Sequence, residues 1–314
     1  MGLGPCRLVL APPVAWSATV TGMIFDRYII VDWSASNRPR VGKDSVWVCV
    51  LGADGHISMH NPSTRGKAEV IVRDDLRRCV ADGERVLVGF DFPYGYPAGF
   101  AAALGLTGPP WLALWQYLAA RVHDDRDTNA SNRFQVAAVI NARLEHPAFW
   151  GRPSSQLFDD LSARRDRVVY QLGGEEAGLA EWREVEAILR ASGHRPHSTW
   201  KLFGNGSVGS QALTGIPVVS RLRHDPAVGD ASTVWPFEVT VPELRAGRGA
   251  VIHVEIWPSL INVQAVTGQV RDQTRVICLA RELRDRDRAD ALAGLFAAAS
   301  TRACSEEGWI LGVA

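Results

Sequence analysis

The chain has no long hydrophobic run. No stretch approaches the roughly 18 apolar residues that a bilayer crossing needs, so no membrane span is expected. It has no excess charge of either sign: Lys plus Arg and Asp plus Glu both number 34 among 314 residues. That balance excludes attachment to nucleic acid through a global basic field, while leaving room for a local basic groove. Cysteine is sparse, at positions 6, 49, 79, 278 and 304, and never in a C-x-x-C pair. Scattered thiols in odd number exclude a disulfide framework and fit reduced, mostly buried side chains in a cytoplasmic protein. No internal repeat is visible, which sets aside solenoids and propellers.

What is present is an ordinary globular composition, 46% hydrophobic and 22% charged, in a chain long enough for one enlarged domain. Residues 1–24 are loosely apolar and broken by Pro12-Pro13. They read as a disordered leader, with Met23 as a candidate start, and residues 25–314 as a single domain. The eleven Trp stand often beside Pro or Gly, as in FWGRP, VWPFE and EIWPS, where they are expected to anchor irregular loops.

The first third has a clear order. YIIVD (28–32) is an apolar strand, SVWVCVLG (45–52) a second, and HISMHN (56–61) a third after an Asp-Gly turn. Residues 64–80 place Ala68, Val72, Leu76 and Val80 four apart, the spacing of an amphipathic helix. RVLVGFDF (85–92) is continuous and apolar, as in a central strand buried on both faces. The sum is a β-β-β-α-β opening of α/β class: a meander, a crossover helix and a strand returning parallel. Residues 93–230 are rich in Trp, Pro, Gly and charge, with helical pieces at 97–106, 111–124, 132–143 and 178–192. They read as a large, mostly helical insertion. Strand patterns resume at 232–239 and 250–257, and helices are expected at 259–268, 274–284 and 287–303.

Acidic residues close several of these elements. Asp32 ends the first strand, Asp91 ends VLVGFD, Glu255 lies in VIHVE, and Asp287 and Asp290 fall in DRADALAGLFAAA. A carboxylate at the end of a buried strand is expensive without a partner. Taken singly, each reads as a cap or turn former. Taken together, an acid on a central strand, one on a neighbouring strand and one on a covering helix is the arrangement that gathers Mg²⁺ or Mn²⁺ for phosphate chemistry.

The opening order, with Asp32 on its first strand and the late D-x-x-D-A-L-A segment (287–293), resembles the ribonuclease H-like superfamily. The late segment resembles the acidic helix of RuvC-type Holliday-junction resolvases and their YqgF-like relatives. VLVGFDFP followed by VEIWPS is similar to a little-characterised bacterial family of the same fold. The resemblance covers about 27–95 and 250–303. It implies a ribonuclease H-like mixed sheet with a C-terminal acidic helix, with Asp32, Glu255 and Asp290 as metal ligands and Asp91 and Asp287 assisting. The implied activity is metal-dependent, nuclease-like cleavage of a phosphodiester.

Other signals are local. Gly204, Gly206 and Gly209 fit G-x-G-x-x-G by letters, without the preceding strand and later acid of a dinucleotide site. Their loop, with Ser207, Lys201, Arg221 and Arg223 around it, suits a phosphate at a helix start. Asn129, Asn132 and Arg133 form a polar cluster, with Ser131 as a helix cap. Arg133, Lys201, Gly204, Gly206, Ser207 and Gly209 are the expected contacts to a phosphate-containing substrate, nucleic acid included. His253 shares a strand face with Glu255 and reads first as a packed histidine. HRPH (194–197) lacks zinc spacing, and DDRD (124–127) reads as a solvated helix end. Two further function classes stay open. One is an actin-like nucleotide-binding phosphotransferase using Asp32-Trp-Ser34-Ala-Ser36. The other is a non-catalytic binding or scaffold protein whose acids are structural.

Overall fold

A computed structural model describes residues 22–170, 178–245, 247, 250–261, 270–296 and 299–313. The leader expected over 1–24 lies outside them up to residue 21, as does most of the helix expected at 259–268. The class is α/β with a mixed six-stranded sheet.

The sheet starts with β1 (Arg27–Asp32), β2 (Trp47–Gly52) and β3 (Ile57–His60), paired antiparallel in sequence. The β2–β3 turn uses Gly55 at φ 97°, a backbone angle that suits glycine, and Asp54 accepts from the His56 amide at 2.9 Å. Helix α1 (Arg65–Ala81) begins at Thr64, whose side chain accepts from the Lys67 amide. Its buried Ala68, Val72 and Leu76 form the expected stripe. β4 (Val86–Phe90) then enters parallel to β1 and is buried throughout.

Between β4 and the next strand lie α2 (Phe100–Ala103), α3 (Pro110–Ala119), α4 (Arg133–Asn141), α5 (Glu184–Ala191) and α6 (Val208–Arg223). β5 (Ser232–Val234), α7 (Val241–Arg245), β6 (Val251–Glu255) and α8 (Arg271–Arg288) follow. Strand order is β3-β2-β1-β4-β6-β5, with β4, β6 and β5 parallel.

Each sheet face packs its own core. Ile29, Val31, Val48, Val86, Val88 and Phe90 face α1, α3, α4 and α6. Tyr28, Ile30, Cys49, Leu87, Ile252 and Val254 face α8 through its Val276, Leu279, Ala280 and Leu283. α8 is one helix, longer at both ends than the expected 274–284. Over the described residues of 287–303 the expected helix is not continuous. α8 stops at Arg288, Asp290 turns the chain at φ 53°, and a 3₁₀ turn spans Leu292–Phe296.

α6 is apolar nearly all round and buried along most of its length, as a helix sandwiched inside a domain must be. Gly215 lets it approach the sheet: a Cβ there would fall 2.3 Å from the Phe92 ring. Gly215→Ala should therefore destabilise by about 1–3 kcal/mol through overpacking, outweighing the ~1 kcal/mol that helix propensity favours alanine. Urea unfolding of the two proteins measures the sign directly.

Candidate active site

The site grows from one register. β1 and β4 run parallel with Val31 opposite Phe90, so the next residues, Asp32 and Asp91, leave the same sheet edge side by side. Neighbouring strands are about 4.8 Å apart, and two carboxylates there are forced into contact. Asp32 and Asp91 lie within hydrogen-bond reach of each other. Both are half-buried at the floor of a cavity of about 740 Å³. The Trp33 amide donates to Asp91 Oδ1 at 2.5 Å and fixes that carboxyl.

Burial and mutual repulsion keep a proton on the pair. Asp32 is held well above the usual carboxylate range, by burial first and then by Asp91 and Asp272. Asp91 is pushed up to about 7, by burial first, against the opposing bonds from Trp33 and Asp32. The third acid near them is Asp272, in the first turn of α8, which packs over β1 and β2. Its Oδ2 accepts from the Asp44 amide at 2.9 Å and pins the loop after β1 across the cavity. Arg275, one turn further on, also lines the cavity. Among the described residues its buried Nε has no acceptor, and burial lowers its pKa.

Of the other expected acids, Glu255 lines the same cavity from the other sheet face, while Asp287 and Asp290 lie away from it. Strand alternation puts Glu255, in register with Phe90, on the opposite sheet face from Asp32 and Asp91. Its two oxygens are taken by Arg183 at 2.6 and 2.7 Å and by the Tyr94 amide at 2.9 Å. Arg183, fully buried, also bonds Glu186 and the Glu307 carbonyl. Burial pushes Glu186 up to about 7. Asp287 binds the Ile24 and Phe25 amides and the Tyr28 hydroxyl, beside the start of β1. It is fifteen residues along α8 from Asp272, about 22 Å of helix rise, so it cannot reach the edge where Asp32 stands. Asp290 is exposed and pairs with Arg245 at 3.5 Å.

The expected substrate contacts divide too. Arg133, Gly204, Gly206 and Ser207 line the cavity, with Gly204 and Gly206 at φ 86° and 71°. Gly209 does not line it: a Cβ there would meet the Thr199 carbonyl at 2.3 Å, so its role is close packing at the start of α6. Lys201 bonds the Asn205 carbonyl at 2.5 Å and holds the glycine loop from behind. Arg221 and Arg223 are paired with Glu69 and Glu238 and give the loop no cationic edge. Asp124 is no solvated helix end; it forms a two-pronged bond with buried Arg65. Ser131 accepts from Arg133 instead of capping α4, and Asn132 holds the N-cap position. His253 is packed: Nε2 meets Ser232 Oγ at 2.8 Å, and burial lowers its pKa to about 3.

Sequence reasoning missed Asp272, Arg275 and Arg183. The D-Q-T-R spacing of 272–275 puts Asp272 and Arg275 on one helix face, and was obscured by starting that helix at Thr274. Comparison with family models, with curated proteins and with solved structures finds no match to this chain. Among the described residues no helix is long and apolar enough to cross a membrane.

Two expectations separate the acid pair from the structural acid. Between the ordinary aspartate pKa of 3.8 and about 7, the folded pair retains a proton that the unfolded chain has released. Stability attributable to the pair therefore falls as pH rises through that window. Asp32→Asn, with a permanently neutral partner for Asp91, should gain on the wild type as pH rises from 4 to 8, by on the order of 2 kcal/mol. Arg183→Ala strands a buried Glu255 and should instead lose about 3–5 kcal/mol at neutral pH. Thermal melts of both variants across pH make the comparison.

Proposed function

We propose that this protein is a divalent-metal-dependent phosphoryl-transfer enzyme built on a ribonuclease H-like core. Its chemistry centres on Asp32 and Asp91, with Asp272 in support. The observation that carries the reading is the contact between the Asp32 and Asp91 carboxyls at the cavity floor. Two carboxylates side by side need either a shared proton or a cation. The order β3-β2-β1-β4-β6 and the acid closing β1 support the ribonuclease H-like assignment, and α2–α6 between β4 and β5 would be the insertion.

Among the described residues no three His, Cys, Asp or Glu side chains stand close enough together to form a metal-binding group. The donors nonetheless suit Mg²⁺, which is commonly held by one or two carboxylates with water and substrate phosphate completing its shell. Asp32 and Asp91 would hold it, and Asp272 would act from outside through water. A bound Mg²⁺ or Mn²⁺ neutralises charge on a phosphate oxygen and acidifies a water for attack.

The protein's own groups do the rest. Asp91 is held in place by the Trp33 amide. Arg275 places its guanidinium, whose buried Nε has no acceptor among the described residues, beside the acids, where a phosphate oxygen would develop charge. Residues 33–37 and 204–208 form walls of the cavity around these groups.

Hydrolysis of p-nitrophenyl phosphate and bis(p-nitrophenyl) phosphate with Mn²⁺ tests this. Asp32→Asn and Asp91→Asn should each lower turnover about 100-fold or more, with the fold retained. Asp290→Asn should leave it unchanged. Full activity of Asp32→Asn, or equal activity in EDTA, would remove the metal-dependent reading.

A further inference from the structure

The cavity continues away from the acids, and its other end is unexplained by metal chemistry. Arg133 is 3% exposed, yet among the described residues no carboxylate bonds it. Its bonds go to Ser210 Oγ at 2.8 Å, Ser131 Oγ at 2.6 Å, the Ala35 carbonyl at 2.9 Å and Asn37 Oδ1. Asp124, whose charge acts on Arg133, is already bonded by Arg65. Burial with the nearby Arg65 lowers the Arg133 pKa to about 10. A buried charge in that state calls for an anion.

Two further features face the same space. The 16-residue helix α6 begins at the cavity wall, and the amides of Ser207 and Val208 make no hydrogen bond among the described residues. Helix starts with free amides attract phosphate. Across the loop after β1, Arg133 and Arg65 draw the carbonyls of Ser34, Ala35 and Ser36 outward, and the Ala35 and Asn37 amides are likewise unbonded. At the cavity rim Phe203 is 49% exposed, braced edge-on by Phe134 at 6.4 Å between ring centres, with half-buried Trp257 also on the lining. An exposed, braced aromatic at the mouth of a polar cavity is a stacking surface.

We propose that this cavity binds a phosphate monoester carrying a planar ring, of the size of a nucleoside monophosphate. The phosphate would lie between Arg133 and the α6 amides, and the ring on Phe203. This inference rests on the phosphoryl-transfer reading for which bond is cut, but not for binding. The volume of about 740 Å³ is that of a small-molecule site, and the balanced net charge gives no global pull on a polymer.

Calorimetry on the full chain in EDTA, with adenosine 5′-monophosphate, ribose 5-phosphate and a 5′-phosphorylated single-stranded 12-mer, tests it. The monophosphate should bind at least tenfold tighter than ribose 5-phosphate and no more weakly than the 12-mer. Phe203→Ala, a rim change that spares the core, should lose that preference while leaving ribose 5-phosphate binding intact. Arg133→Gln should weaken both small ligands, with circular dichroism confirming the fold. No binding of the monophosphate, equal binding of ribose 5-phosphate, a tenfold preference for the 12-mer, or an unchanged Phe203→Ala would each overturn the inference. Mn²⁺-dependent turnover without monophosphate binding sinks this inference alone. Monophosphate binding without turnover of any phosphate ester sinks the phosphoryl-transfer reading alone.

Discussion

The parallel pairing of β1 with β4 is the constraint on which the rest depends. Once Val31 stands opposite Phe90, the chain has no choice about where Asp32 and Asp91 go. Both leave the sheet at one edge, one strand spacing apart, at the carboxyl ends of parallel strands, where ligands of open α/β sheets collect. The contact is unfavourable in the folded protein on its own, because burial and like charge both oppose ionisation. A fold that keeps such a pair at the floor of a cavity stores a demand for positive charge there, which a proton, Arg275 or a metal ion can meet.

Buried guanidinium groups organise the walls around that pair. Arg65 ties α1 to Asp124 and to the carbonyls of the loop after β1. Arg133 ties α4 to the same loop and to Ser210 on α6. Arg183 joins the segment before α5 to the end of β6 through Glu255. Arginine suits this work because its planar fork reaches several acceptors at once and stays charged. Arg183 and Arg65 are neutralised where they sit, whereas Arg133 is not. The difference marks which clamp is also a candidate binding surface.

Much of the first half was legible because burial writes itself into sequence as unbroken apolar runs. YIIVD and VLVGFD announce central strands and the acids that end them, and the 68-72-76 spacing announces α1. The middle acid reaches the cavity from the other sheet face, which the sequence did not show because register is not written in any one strand. VIHVE shows a strand with an acid at its end, but only the pairing of Glu255 with Phe90 shows that its side chain faces the other way. The helix acid was misplaced by direction. α8 runs so that Asp272 meets the active edge and Asp287 meets the opposite one, and an acidic pattern alone does not say which end of a helix is near. The insertion was the least legible. Its arginine pairings join positions as far apart as Arg221 and Glu69, with no local signature.

The central claim is that Asp32 and Asp91 share one proton at neutral pH and form the seat of the chemistry. Carbon-13 NMR of the aspartate carboxyls, titrated from pH 3 to 9 with and without Mg²⁺, observes this directly. The account predicts signals from the pair with a transition near or above pH 7, abolished by Asp32→Asn and moved to lower pH by Mg²⁺ as the cation replaces the proton. If every aspartate instead titrates near 4 and Mg²⁺ shifts none of them, the acid pair as described here does not exist.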